Sequence, residues 1–237
     1  MDKKRHRILK YPNSDVDRVF EKENQIIQQI QADELEQCLM LWRCEKPSLV
    51  LPAGNKWPDS IDLQQSLSEI GWQVYSRRTG GAPVPQTPGL INLSHLYLWP
   101  EGTDYSIPVA YQNLCQVLTI FLEGLGVKVD VHATPFSYCD GDYNLNIEKQ
   151  KIVGTAQRVV LKRGGGKIVL AQACILIDDD LDFLVQPVNL CNQLSGYEDR
   201  VKAEVHTCLN QHITELPSTE ALFNRLVQAF IDSKLYG

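Results

Sequence analysis

The chain has 237 residues, with 23 Lys+Arg against 29 Asp+Glu, a net charge of -6 and 43% hydrophobic residues. That length can bury a core without disulfide or metal staples, and the near-average composition excludes collagen-like, coiled-coil and wholly disordered classes. A net negative chain has no general attraction for phosphate backbones, so a nucleic-acid partner is not expected.

Seven cysteines, Cys38, Cys44, Cys115, Cys139, Cys174, Cys191 and Cys208, are scattered and form no CxxC pair. An odd, dispersed set fits neither a disulfide framework nor a structural zinc site, so reduced thiols, no metal and a cytoplasmic location are expected. The first residues lack the apolar stretch of a signal peptide, and no run approaches transmembrane length, so no membrane association is expected. Lys3, Lys4, Arg5, Arg7 and Lys10 make residues 1–13 read as a solvated basic tail ahead of one domain over 14–237.

Ser14 with Asp17 three residues on resembles a capping box, and Val16, Val19, Phe20, Ile26, Ile27 and Ile30 follow helical spacing, which predicts a helix over 14–33. LMLWRC and SLVL read as short strands separated by Glu45-Lys46-Pro47. PAGNKWPDS is a loop, and DSIDLQQSLSEIG a helix closed by Gly71. WQVYSR returns to strand before RTGGAPVPQTPG, a loop dense in Gly and Pro, and LINLSHLYLW is strand again. Residues 105–125 form an apolar helix with Pro108 in its first turn. VKVDVHA, YNLNI, KIVGTAQRVVLKR and KIVLAQACILID are strand-like, and two helices, near 199–211 and 217–233, complete the chain. Strands joined both by tight turns and by helices predict a single α+β domain with a mixed, largely antiparallel sheet.

Several tempting motifs have plain structural explanations. Gly164-Gly165-Gly166-Lys167 fails the phosphate-loop pattern, because Leu161 and Ile168 occupy positions that need Gly and Ser or Thr, and it reads as a hairpin turn. Asp178-Asp179-Asp180 has no His or Cys neighbours and reads as acid residues at a helix start. His95 and His132 have no Ser or Cys at a diagnostic spacing, and the Asn92-Leu93-Ser94 sequon means little without a secretion signal.

Two segments carry chemistry. Arg77-Arg78-Thr79-Gly80-Gly81 follows a strand directly, and its glycines and guanidinium groups suit a carboxylate, phosphate or oxyanion, although taken alone the pattern is better explained as a plain turn with two surface arginines. Cys139 lies in the polar, Gly-containing segment Ser137–Ile147, where a thiol is more accessible than in an apolar run, although by composition alone a plain loop cysteine and an edge-strand lysine are the stronger reading of Cys139 and Lys151. Lys151 begins the next strand, with Gly154, Thr155 and Ala156 after it leaving room for a ligand, and a cation near a thiol favours the thiolate.

Together these segments resemble the biotin/lipoate protein ligase and lipoyltransferase superfamily. Leu41-Trp42-Arg43 is similar to its LWR-type strand, Arg77–Gly81 to its RR[ST]GG loop, and Pro88-Gly89-Leu90-Ile91-Asn92-Leu93-Ser94 to its G-x-x-N-x-S strand. Lys151-Ile152-Val153-Gly154-Thr155-Ala156-Gln157 is similar to its lysine signature, and all four occur in the family's order between about Ile26 and Phe230. The resemblance implies an α+β catalytic domain with a tunnel for an octanoyl or lipoyl chain. It also implies substrate-binding roles for Arg78, Thr79, Gly80, Gly81, Asn92, Gly154, Thr155 and Ala156, with Arg78 near the polar end, and an active-site role for Lys151. The implied acceptors are lysines of lipoyl-carrier domains, as in glycine cleavage H protein and the E2 subunits of 2-oxoacid dehydrogenases.

Two chemistries share that scaffold. A ligase consumes ATP and Mg to form an acyl-adenylate held by Lys151. A transferase needs no cofactor and passes the acyl group through a cysteine thioester. Tyr138-Cys139-x-Gly141-x-Tyr143 resembles the cysteine motif of octanoyl amidotransferases, which would make Cys139 the nucleophile and Lys151 its partner. Ala82-Pro83 in place of a third loop glycine, Val84-Pro85-Gln86 in place of a family histidine, and a length that fits the catalytic domain alone all favour transfer. ATP-dependent ligation is the alternative, and a non-catalytic acyl- or carrier-binding relative the third expectation.

Overall fold

Alternation along three long strands builds the molecule. In the computed structural model, which describes residues 6–235, the chain runs β1 (His6–Ser14), α1 (Val16–Gln31), β2 (Gln37–Cys44), β3 (Ser48–Leu51), α2 (Ile61–Glu69), β4 (Gln73–Ser76) and β5 (Val84–Gln86). It continues through β6 (Leu90–Leu98), α3 (Ile107–Glu123), β7 (Asp130–Val131), β8 (Leu145–Ile147), β9 (Gln150–Leu161) and β10 (Lys167–Leu176) to α4 (Leu181–Leu194) and α5 (Thr219–Asp232). A seven-stranded sheet has the order β1-β2-β6-β10-β9-β8-β7, and a three-stranded sheet the order β4-β3-β5. In each, one pair is parallel, β1 with β2 and β3 with β4, and the rest are antiparallel, so the expected α+β class with a mixed, largely antiparallel sheet holds.

Because side chains alternate along a strand, the large sheet has two apolar faces. Leu39, Leu41, Ile91, Leu93, Val169 and Ala171 pack with Leu114, Leu118 and Phe121 of α3 and with Phe223 and Leu226 of α5. Met40, Trp42, Leu96 and Leu170 meet Val16, Val19, Ile26, Ile27 and Ile30 of α1. The small sheet packs through Leu49 and Leu51 on Leu63 and Leu67 of α2 and on Leu184 and Val188 of α4. Asp15, Ser60, Ser106, Asp180 and Ser218 each accept an amide at the start of a helix, which satisfies donors that would otherwise be orphaned.

Several expectations change, among them the loop expected over RTGGAPVPQTPG, which contains the strand β5 (Val84–Gln86). Residues 6–13 are not a tail but most of β1, which pairs in parallel with β2 from His6↔Gln37 to Tyr11↔Trp42; residues 1–5 lie outside the described residues. Ser14 ends that strand, and Asp15 caps α1 in its place. The expected helix over 199–211 is reduced to two 3-10 turns, Ala203–Val205 and Leu209–Gln211. Its amides bond elsewhere: Lys202 N donates to Phe136 O, Thr207 N to Lys151 O and Asn210 N to Ile177 O. Beyond the expected elements, α4 is a further helix, which runs through Pro187. Residues 162–166 do form the hairpin turn, closed by Lys162 N donating to Gly166 O at 3.1 Å.

Gly89 is fixed by a close backbone approach. Its carbonyl accepts from Ile177 N and Asp178 N, and a Cβ there would stand 2.2 Å from the Asp178 carbonyl oxygen. Gly89→Ala should therefore lower stability by about 2–4 kcal/mol in urea denaturation. Gly80→Ala, where an added Cβ meets nothing within 4 Å, should change it by less than about 1 kcal/mol; equal losses would contradict this packing.

Candidate active site

Strand register assembles the site's floor. Asn92 and Ser94 of β6 stand opposite Cys174 and Gln172 of β10, which in turn face Gly154 and Ala156 of β9. Alternation sends all six to one side of the sheet in two rows. They floor a pocket of about 560 Å3, counting space open to solvent, that is also lined by Phe20, Trp42, Arg77, Tyr138, Cys139 and Lys151. Within it Trp42 Nε1 donates to Ser94 Oγ at 3.3 Å, and Asn92 Nδ2 to Gln86 Oε1 at 2.7 Å.

Lys151 is fully buried, with β9 flanked by β8 and β10. Between β8 and β9 the register slips from Leu145↔Val153 to Asn146↔Lys151, so Ile152 is the extra residue of a bulge. The bulge brings Lys151 to the side of Gly154, three residues on, which strict alternation would place opposite. A methyl on Gly154 would stand 3.1 Å from Lys151 Cε and 3.2 Å from Nζ. The glycine thus makes room for the lysine rather than for a ligand.

The Lys151 ammonium donates to the carbonyl of Tyr138 and, at 2.9 Å, to that of Cys139, and it lies 4.2 Å from the centre of the Tyr138 ring. Two of its three protons are therefore engaged by the backbone of the cysteine loop. Burial pulls its pKa down to about 8, opposed by the neighbouring Cys139, Cys174 and Asp140 and assisted by Arg77.

Cys139 has φ 53, a left-handed conformation that costs a non-glycine residue on the order of 1 kcal/mol. Its carbonyl accepts from Asn144 Nδ2 at 3.1 Å as well as from Lys151. A methyl on Gly81 would stand 3.7 Å from Cys139 Sγ and 3.2 Å from Arg77 Nη2, so thiol, guanidinium and glycine loop meet at one point. Arg77 Nη2 donates to Gly80 O at 3.0 Å and Ala82 O at 3.1 Å, folding the loop around itself. The other six cysteines are buried. Burial pushes Cys38 and Cys191 up to about 11 and Cys44, Cys115, Cys174 and Cys208 to about 12. Those thiols stay protonated, and the half-buried Cys139 is left as the reachable one.

Of the residues singled out from sequence, Cys139, Lys151, Asn92, Gly154, Thr155 and Ala156 line this pocket. Gly81 touches Cys139, and Gly80 shapes the loop through its carbonyl. Thr79 and Arg78 line a neighbouring cleft with Glu23 and Arg158, and Arg77 lines both that cleft and the pocket. Gln172 and Cys174 went unnoticed in the sequence. Their i, i+2 polar spacing in an apolar strand is a signal that could have found them.

Glu23 of α1 is buried, and Gln172 Nε2 donates to its Oε1 at 2.8 Å. Burial pushes its carboxyl up to about 7, against hydrogen bonds from Ser94 and Gln172 and the charges of Arg77 and Arg158. A carboxyl raised from 4.5 to about 7 binds more protons folded than unfolded over that range, so stability falls as pH rises through it. Glu23→Gln keeps an acceptor and cannot ionise. Its stability relative to wild type should improve by about 3 kcal/mol between pH 4.5 and pH 8 in urea denaturation; a difference independent of pH would show that Glu23 titrates normally.

Residues 15–231 match the lipoyl protein ligase A/B catalytic domain. An uncharacterized protein of Cupriavidus necator is 30% identical over 183 residues, covering 72% of this chain and 69% of that one. The octanoyl-GcvH:protein N-octanoyltransferase of Geobacillus kaustophilus is 26% identical over 154 residues, 65% of this chain and 53% of that protein, so the match spans about half of that relative. The lipoyl-GcvH:protein N-lipoyltransferase of Listeria monocytogenes is 27% identical over 130 residues, 55% of this chain and 46% of that protein. A crystal structure of lipoate-protein ligase A bound with ATP shares the fold, with TM-score 0.78 at 17% identity over 98% of this chain and 85% of that one. The match of residues 15–231 runs from the cap of α1 almost to the end of α5, and the chain belongs to the lipoyl protein ligase A/B catalytic domain family, enzymes of protein lipoylation and octanoylation.

Proposed function

We propose that the protein transfers an octanoyl or lipoyl group onto a lysine of a lipoyl-carrier domain through a thioester on Cys139, without ATP. The observation that carries this reading is the position of Cys139. It is the one cysteine of seven that is not buried, it lines the pocket, and its carbonyl is held by the Lys151 ammonium. Relatives named for transfer from octanoyl-GcvH or lipoyl-GcvH support it, and they make glycine cleavage H protein the first donor to try.

In the proposed reaction the Cys139 thiolate attacks the acyl carbonyl carbon of a donor amide. The oxyanion is met by the third proton of Lys151 and by loop amides near Gly80-Gly81. The C–N bond breaks, the departing lysine amine takes a proton from Lys151, and the acyl group rests on sulfur. The acceptor lysine amine then attacks the thioester, its proton returns to Lys151, and the thiolate leaves. Phe20, Trp42 and Val84 offer the acyl chain apolar wall.

The adenylating alternative fits these residues less well. Among the described residues, the side chains lining the pocket include no carboxylate to share a Mg ion with a triphosphate, and the two cations there, Arg77 and Lys151, already donate to backbone carbonyls. The deciding assay offers apo carrier protein either octanoyl-carrier or free octanoate, each with and without ATP-Mg. Transfer from octanoyl-carrier without ATP, reduced at least about 1000-fold in Cys139→Ala, is the expected outcome. Incorporation of free octanoate that requires ATP and survives Cys139→Ala would establish ligation instead.

A further inference from the structure

Beneath the cysteine loop lies a group of buried side chains to which the proposed reaction gives no part. Tyr138 and His206 are buried, and their rings stack in near-parallel planes, with centroids 4.9 Å apart and 9° between planes. His206 belongs to the irregular segment after α4. It bridges in parallel to Lys151, and the next residue, Thr207, donates its amide to the Lys151 carbonyl at 3.0 Å. The same Tyr138 ring that stacks on His206 has the Lys151 ammonium 4.2 Å from its centre.

The protonation of the stack follows from its bonds. His206 Nδ1 lies 2.9 Å from the Lys202 carbonyl, which can only accept, so Nδ1 carries the proton. Burial and then the charge of Lys151 hold the ring neutral, with its pKa pulled down to about 3. Nε2 is therefore an acceptor, and it has no partner among the described residues, nor has the Tyr138 hydroxyl. Hydrogen bonding at the imidazole Nε2 and the phenol hydroxyl thus gives no reason for these side chains to be there. What the pair presents is an electron-rich ring face to a buried cation.

We propose that Tyr138 and His206 are positioning residues whose stacked rings hold the Lys151 side chain as a cation against the Tyr138 and Cys139 carbonyls, fixing the loop that carries the nucleophile. The ammonium is also surrounded by Cys139 and Asp140 of the loop, Cys174 of β10 and Arg77 of the glycine loop. The first three favour the charge and Arg77 opposes it, while burial opposes it most. The ring face acts in addition to these, and only while Lys151 is protonated. Its catalytic consequence rests on the thioester reading; the hold on Lys151 does not.

The test compares wild type with Tyr138→Met, which keeps an apolar side chain and most of the volume but loses the ring face, and Tyr138→Phe, which keeps the face. Urea denaturation from pH 6.5 to pH 9.5 reads the cation directly and needs no substrate. The loss in Tyr138→Met should shrink as pH rises through about 8, where Lys151 gives up its proton. The loss in Tyr138→Phe should be small and flat. His206→Gln, which removes the stack, should behave as Tyr138→Met does and serves if the latter does not fold. Acylation of Cys139 by p-nitrophenyl octanoate, followed by intact mass, should lose its alkaline limb about one pH unit earlier in Tyr138→Met, with KM within twofold of wild type. A Tyr138→Met loss independent of pH, or a Tyr138→Phe loss of the same shape, would overturn the proposal. Absence of any label on wild-type Cys139 would instead count against the thioester, and the denaturation series would still decide the role of the rings.

Discussion

The site depends on one buried ammonium. Lys151 has no exposed surface, yet its Nζ donates to two consecutive backbone carbonyls and lies against an aromatic ring. A buried charge persists only where such partners offset lost hydration. Here the partners are the carbonyls of Tyr138 and Cys139, so the contacts that satisfy the lysine also set the direction of the cysteine loop. The left-handed φ of Cys139 turns its carbonyl inward to Lys151 and Asn144 and leaves its sulfur beside Gly81 and Arg77. Charge satisfaction and nucleophile placement are the same constraint.

Secondary structure serves that constraint in unequal ways. Three antiparallel strands supply a floor whose rows follow from alternation alone. The lysine needs an irregularity, the bulge at Ile152, and a glycine at 154 whose missing Cβ is the space its side chain fills. The small sheet delivers the Arg77–Ala82 loop from the far side, with Arg77 N donating to Leu51 O at the end of β4. The segment after α4 forgoes helix so that its amides can bond Lys151, Phe136 and Ile177.

What could be read in advance divides along the same line. Strands with period-2 alternation and helices with Ser or Asp caps are local, and α1, α2, α3, α5 and the six longest strands after β1 lie where their sequences predict. Cys139 and Lys151 stand out in the sequence as a polar-loop thiol and a strand lysine, the family resemblance joins them into one candidate site, and both line the same pocket. The misses are tertiary. His6–Tyr11 looks like a basic tail because its partner, β2, lies beyond α1 and the pairing is parallel and nonlocal. The segment 199–211 has helix-forming residues, but Thr207 and Asn210 find distant carbonyls. The choice of Arg77 over Arg78 turns on which arginine the strand end directs toward the pocket, and two adjacent identical residues carry no signal for that.

On the thioester route the acyl group rests on Cys139 between donor and acceptor. Wild-type protein mixed with octanoyl-carrier in the absence of ATP, quenched within one turnover and digested, should yield an octanoyl adduct on the peptide containing Cys139. The adduct should be released by neutral hydroxylamine, as a thioester is. An octanoyl group found on no cysteine peptide, while acyl transfer to the acceptor carrier proceeds in the same quenched samples, would contradict it.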